Sequence, residues 1–304
     1  MASFYIAREG ETLGPYTEDQ VRELVRNGHL SGGDLTWQDG MKDWESLRTV
    51  LPGVEAEAGA MNRSAKESAR TEEDSEKGFF SLVPGSFVYP FRGSGVIMLI
   101  LGAGAMTMGN VAGVVPIVGW IVSLLITAYF TAFLFDVIRG TAMGDREMPH
   151  FPGAESIWDD VILPFFRFLF AFLFYLLPAI AYTVYTGEEL FGDDELGLLL
   201  VFAGLFFVPM AILRIGVFNN VFDGLNPVAV VTSVFKVFIP YLIVLALIAL
   251  LHVILEFGAE VAGALPALVS YPLLVGIGFY VMILQARLLG LIYFTKKSAL
   301  GWLE

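Results

Sequence analysis

Residues 114–138 read VVPIVGWIVSLLITAYFTAFLFDVI, with one charged side chain, Asp136. A helix that crosses a bilayer needs about 20 mostly apolar residues, and this stretch has them. Further runs of the same kind occupy about residues 94–110, 161–185, 196–218, 235–256 and 265–294. The 304-residue chain is 56% hydrophobic, with a mean hydropathy of +0.68, and only 16% of it is charged. A soluble domain is about 25% charged. The fold class expected is therefore an α-helical polytopic membrane protein with six transmembrane helices. The first run is short and rich in glycine, and Gly109, Asn110, Gly113 and Pro116 supply the break before the second.

The connecting loops support that count. The loops near 111–113, 186–195 and 257–264 have no Lys or Arg. Arg139 and Arg146, Arg214 and Lys236, and Lys296 and Lys297 mark the alternate loops and the tail. Strict alternation of positive residues is what the positive-inside rule demands of six helices with both termini in the cytoplasm. The first residues, MASFYIAREGE, have no basic start followed by an apolar run, so no cleavable signal is expected. A bacterial inner-membrane location follows as the expectation, with lipids as neighbours and homo-oligomerisation left open. Residues 79–93 and 151–168 mix aromatics with Pro and Gly and read as segments at headgroup depth.

Two regions precede the membrane part. Residues 54–78 contain no aromatic residue, and Val54 and Met61 are their large aliphatic ones, so a flexible linker is expected. A coil of about 25 residues averages roughly 25–30 Å end to end. Residues 1–53 read as a small α/β unit. SFYIAR makes a strand, Gly14-Pro15 stops the next, and Thr17 with Gln20 gives a capping box. Val21, Leu24 and Val25 form one apolar helix face, and Gly28 stands where a left-handed residue ends a helix. Leu35–Trp37 is a further strand, and Asp39-Gly40 turns the chain toward Trp44.

FYIA at 4–7, GPY at 14–16, ELVRNGHL at 23–30 and LTW-x-x-GM-x-x-W at 35–44 fall in order, and the segment resembles the bacterial type of GYF domain. The resemblance covers about residues 3–50. It implies a cytoplasmic module that binds a protein or a proline-rich peptide, because a preformed extended helix loses little entropy on docking. The sequence departs from the eukaryotic pattern. Val21 stands for Met, Leu24 for Trp, and Gly28-His29-Leu30 for Gly-Tyr-Phe. The aromatic surface expected comprises Phe4, Tyr16 and Trp37, with the alternative that Trp37 and Trp44 serve mainly as core. The tail ARLLGLIYFTKKSALGW and the spans before it resemble bacterial multi-helix membrane domains found behind such modules, and that resemblance brings no activity with it.

Chemistry-bearing residues are scarce in the membrane part. Arg287, Gln285 and Asn110 form the expected intramembrane polar site, with Arg287 paired to Asp136 or to anionic headgroups. Arg167, Arg214 and Lys236 lie near helix ends and are expected to snorkel. His252 and Glu256 share a helix face, which is two ligands without a third. Gly102, Gly104, Gly109 and Gly113 mark either a broken helix or close packing. Pro164 and Pro240, with Pro209 and Pro272, suggest a repeated helix pair. Cysteine is absent, and no phosphate loop, nucleophile elbow, HExxH or deep carboxylate pair occurs. No catalytic residue, metal or cofactor is expected, and with a net charge of −13 and no basic block, no nucleic acid either. The function expected is a membrane-anchored adaptor rather than an enzyme. The alternative is a small transporter or lipid-handling protein regulated by the module.

Overall fold

A computed structural model describes residues 3–8, 11–27, 29–54, 56, 74, 77–153, 155–187 and 189–302. The chain divides into two compact units, residues 1–73 and 74–304. Most of the expected linker, together with the turn at Glu9-Gly10 and the helix end at Gly28, lies outside the described residues.

The first unit is a four-stranded antiparallel sheet in the order β2-β1-β3-β4, with β1 Phe4–Arg8, β2 Glu11–Tyr16, β3 Leu35–Gln38 and β4 Glu45–Ser46. Helix α1 (Glu18–Arg26) covers one face, and the short α2 (Leu47–Val50) closes the edge of its core. Alternation along β1 sends Phe4 and Ile6 into that core against Val21, Val25, Leu30 and Leu47. The capping box forms as expected. The Gln20 amide donates to Thr17 Oγ1 at 3.3 Å, and the Thr17 amide donates to Gln20 Oε1 at 2.9 Å. Gly14 has φ +133°, and a Cβ there would stand 2.7 Å from the Phe4 carbonyl oxygen, so the irregularity in the pairing of β2 with β1 favours glycine there.

In the second unit, α3 (Phe79–Ser86) and a 3-10 turn (Tyr89–Phe91) precede the helices α4 (Gly95–Ala112) and α5 (Val118–Met143). A π-helical turn (Ile157–Ile162) leads into α6 (Leu163–Thr186), followed by α7 (Glu195–Phe218) and the one-turn α8 (Val221–Gly224). Then come α9 (Pro227–Lys236), α10 (Phe238–Ala262) and α11 (Ala267–Leu300). Six of these helices are long and apolar enough to cross a membrane, as the sequence predicts.

Several boundaries differ from expectation: the fifth span ends at Ala262 rather than 256, and the sixth runs to Leu300 rather than 294, past a break in helical geometry at Lys296. The second span starts at Val118 rather than 114, because Pro116 and the left-handed Ile117 (φ 65°) end the preceding turn. The fifth starts at Phe238 because the chain leaves helical geometry at Val237 (φ −125°, ψ 34°). The Pro240 ring would collide with the Lys236 carbonyl in a continuous helix, and as the third residue of α10 it needs no backbone donor. A separate helix, α9, therefore precedes the span. Asn226 caps it, accepting from the Ala229 amide at 3.1 Å.

Helix α11 is the axis of the bundle. Residues Ala286–Phe294 are all buried, and the helix packs against α4, α5, α7 and α10. A helix buried all round belongs at the centre of its fold. Its crossing on α5 is tight, since a Cβ on Gly290 would lie 2.5 Å from Thr141 Cβ. Helices α6 and α7 pack along each other, and a Cβ on Gly204 would lie 2.4 Å from the Tyr175 carbonyl oxygen. Phe79 and Tyr89 plug into this core, so the segment before α4 is more than an interfacial anchor.

Candidate functional site

The face of the small sheet turned away from α1 carries the module's aromatic surface. Tyr5 and Trp37 are register partners on β1 and β3, with ring centroids 5.9 Å apart. Trp37 Nε1 donates to the Met41 carbonyl at 2.9 Å, which ties the ring to the turn that the sequence reads at Asp39-Gly40. Leu35, two residues before Trp37 on the same strand face, is 47% exposed, and Trp44, just before β4, is 39% exposed. Trp37 is thus partly buried, but against Tyr5 and not in the helix-covered core.

The structure does not bring Phe4, Tyr16 and Trp37 together. Phe4 is 2% exposed and belongs to the core. Tyr16 is its partner across β1 and β2 and packs on the same core from the edge. The period-two alternation of β1 already carries the distinction: if Ile6 is core, Phe4 is core and Tyr5 is not.

Residues 4–51 match the family described as GYF domain 2. The N-terminal module is a GYF domain. No curated protein and no solved structure matches the chain. The GYF module here carries its aromatic pair at Tyr5 and Trp37, while Leu24 and Leu30, at positions that are aromatic in the eukaryotic pattern, pack on or into its core.

The expected intramembrane polar site is also dispersed. Arg287 is buried and faces neither Asp136 nor lipid. Its Nη1 donates to Thr141 Oγ1 at 3.0 Å and to the Asp145 carbonyl, and its guanidinium lies 4.4 Å above the Tyr89 ring. Burial pushes the Tyr89 hydroxyl up to about 12, although the Arg287 charge opposes it. Asp136 pairs instead with Arg139, 3.5 Å away on the next turn. Gln285 lines a mainly apolar cavity of about 270 Å³ with Phe168, Ile212 and Met282. Its Nε2 reaches His252 Nδ1 at 3.5 Å. Asn110 lies on a separate cleft of about 60 Å³.

Arg214 does not snorkel. It is buried, donates to the Asp223 carbonyl at 2.9 Å and to Ser233 Oγ at 3.2 Å, and stands 4.7 Å from the Trp302 ring centroid. Lys236 donates to the Leu300 carbonyl at 2.8 Å and so caps the end of α11. The broken-helix reading of the glycines is corrected: α4 is continuous from Gly95 to Ala112. Gly102 admits Phe279 and Gly109 admits Ile126, which is the close-packing role. Among the described residues, no three His, Asp or Glu side chains could hold a metal ion.

Proposed function

We propose that this chain is a membrane-anchored adaptor. Its GYF module presents the Tyr5–Trp37 face to a proline-rich peptide, and its helical unit holds that module at the bilayer. GYF domains bind proline-rich peptides, and six apolar helices supply the anchor. The single observation that carries the reading is the pair of aromatic rings on the sheet face turned away from α1, with exposed Leu35 on the same face. Rings held by strands offer apolar area at little entropic cost, and proline rings stack on such surfaces. The inner membrane of a bacterium, with both termini cytoplasmic, is the setting that the alternation of Lys and Arg supports. The transporter alternative asked for one cavity shared by Arg287, Gln285 and Asn110, and these residues lie apart.

The test uses the full chain in detergent, titrated with fluorescent proline-rich peptides and with partners crosslinked in native membranes. Tyr5→Ser combined with Leu35→Ser should weaken binding by about tenfold or more, since anchors at the centre of a small interface carry most of its energy. Leu13→Ser, whose side chain is also exposed, serves as the control. Equal binding by all three proteins would sink the assignment of this face.

A further inference from the structure

A second site lies in the helical unit. A cleft of about 400 Å³ opens between α5, the π-helical turn, the start of α6 and the end of α7. Its polar wall holds Arg139, Arg167, Asn219, Asp136, Asp159 and Asp160. The volume falls in the range of small-molecule sites, roughly 300–1,000 Å³.

The arginines keep donors free for a further anion, although the Asp159 charge also acts on Arg167. Arg139 Nη2 donates to Asn219 Oδ1 at 2.9 Å, and Arg167 Nη1 donates to the same oxygen. Two cations therefore converge on one neutral amide oxygen. Among the described residues this is the one hydrogen bond that Arg167 makes, although a guanidinium carries five donors in a planar fork. Asp136 does not neutralise the pair, since it meets only Arg139, at 3.5 Å. A phosphate oxygen beside Asn219 would receive charge-assisted bonds from both arginines.

The acidic residues of the same cleft leave acceptors for a cation. Ser156 Oγ donates to Asp159 Oδ2 at 2.8 Å, and the Ser156 amide donates to Asp160 Oδ2 at 2.9 Å. This orients both carboxylates and leaves one oxygen of each without a hydrogen bond among the described residues. Glu155 adds a further carboxylate at the rim. These acids do not converge on a metal position, so they suit an ammonium group with its several spread donors. A purely anionic ligand would face the carboxylates, and a purely cationic one would face the arginines.

We infer that this cleft binds a phosphate–ammonium zwitterion, as carried by an aminophospholipid headgroup. The lipid source fits the setting. The cleft sits at the ends of membrane-length helices, Phe135 and Ile215 give it an apolar floor, and Ile157 and Trp158 project from the π-helical turn, 57% and 60% exposed. Exposed tryptophan belongs at headgroup depth.

Native mass spectrometry of the full chain in detergent tests this, titrating phosphatidylethanolamine against phosphatidylglycerol, with soluble O-phosphoethanolamine and inorganic phosphate as competitors. Phosphatidylethanolamine should bind about tenfold more tightly than phosphatidylglycerol, as expected for a charge-assisted bond to the ammonium. Asp159→Asn should remove most of that preference, whereas Arg167→Gln should weaken the binding of both lipids, whose phosphate is the same, and Arg167→Lys should restore part of that affinity. A response to phosphoethanolamine without any preference between lipids supports the same chemistry but moves its source to solution. Three results overturn the proposal: equal affinity for both lipids with no effect of phosphoethanolamine, inorganic phosphate competing as well as phosphoethanolamine, or unchanged selectivity in Asp159→Asn together with unchanged affinity in Arg167→Gln. The comparison of lipids on the unaltered chain decides even if a variant fails to fold.

Discussion

Thr36 sits in β3 opposite Ile6, fully buried, and its hydroxyl has no hydrogen-bond partner among the described residues. A buried donor left unmade costs more than an apolar group of the same shape. Thr36→Val keeps the β-branched outline and removes the hydroxyl. It should stabilise the module by about 1 kcal/mol, read as slower hydrogen exchange of β1 amides in the full chain. A loss of protection would show that the hydroxyl has a partner after all. The same scale explains what sequence reading misses. Arg214 sits near a helix end, where long cations ordinarily reach water, and Arg287 lies deep within α11. They turn inward because Ser233 and Trp302, or Thr141 and Tyr89, meet them from remote positions in the chain. No local pattern announces such partners. Tyr5 was legible, since alternation from Ile6 excludes it from the core.

At the scale of elements the local signals hold well. The Thr17 box, the Asn226 cap with Pro227 behind it, and the six apolar runs all form where side-chain chemistry places them. What stays hidden is how elements meet. Gly204 resembles any glycine in a span until α6 is laid against it, with a Tyr175 carbonyl 2.4 Å from where a Cβ would go. Gly204→Ala should separate α6 from α7 and cost about 1–3 kcal/mol in unfolding assays on the reconstituted chain. Gly104→Ala, with nothing within 4 Å of its Cβ, should leave stability nearly unchanged. Equal effects of the two would remove close approach as the reason for glycine. The polar cleft was invisible for a related reason. Arg139, Arg167 and Asn219 come from three separate helix ends, and each alone looks like an interfacial charge or a cap.

For the molecule as a whole, the division into a small mixed module and an apolar helical unit was legible from composition, because a bilayer demands run lengths that nothing else produces. Electrostatics beyond the spans makes a whole-molecule prediction. Burial alone would raise the Asp74 carboxyl. Hydrogen bonds and charge from Lys77 and Arg146 outweigh that and hold it below the usual carboxylate range. A carboxyl depressed in the folded state contributes stability that is present above its unfolded value and lost as pH falls through the folded one. The melting midpoint of the full chain should therefore drop as pH falls below about 4, and the drop should be shallower in Asp74→Asn. Parallel pH profiles for the two proteins would show that the ion pairs add nothing to folding.

The seat of Arg214 also sets an order of events in time. Its cation is inserted with α7, but the indole that covers it, Trp302, is among the last residues described. At synthesis rates of roughly 5–20 residues per second, the interval is on the order of ten seconds. During it the half-built bundle holds a guanidinium with the Phe218 ring beside it but without the Trp302 indole, and Lys236 waits for the Leu300 carbonyl. Newborn chains should therefore linger beside the insertion machinery until α11 arrives to close the assembly. Crosslinks from position 214 to that machinery in stalled nascent chains should persist until residue 302 has emerged, and their early loss would refute the sequence of closure.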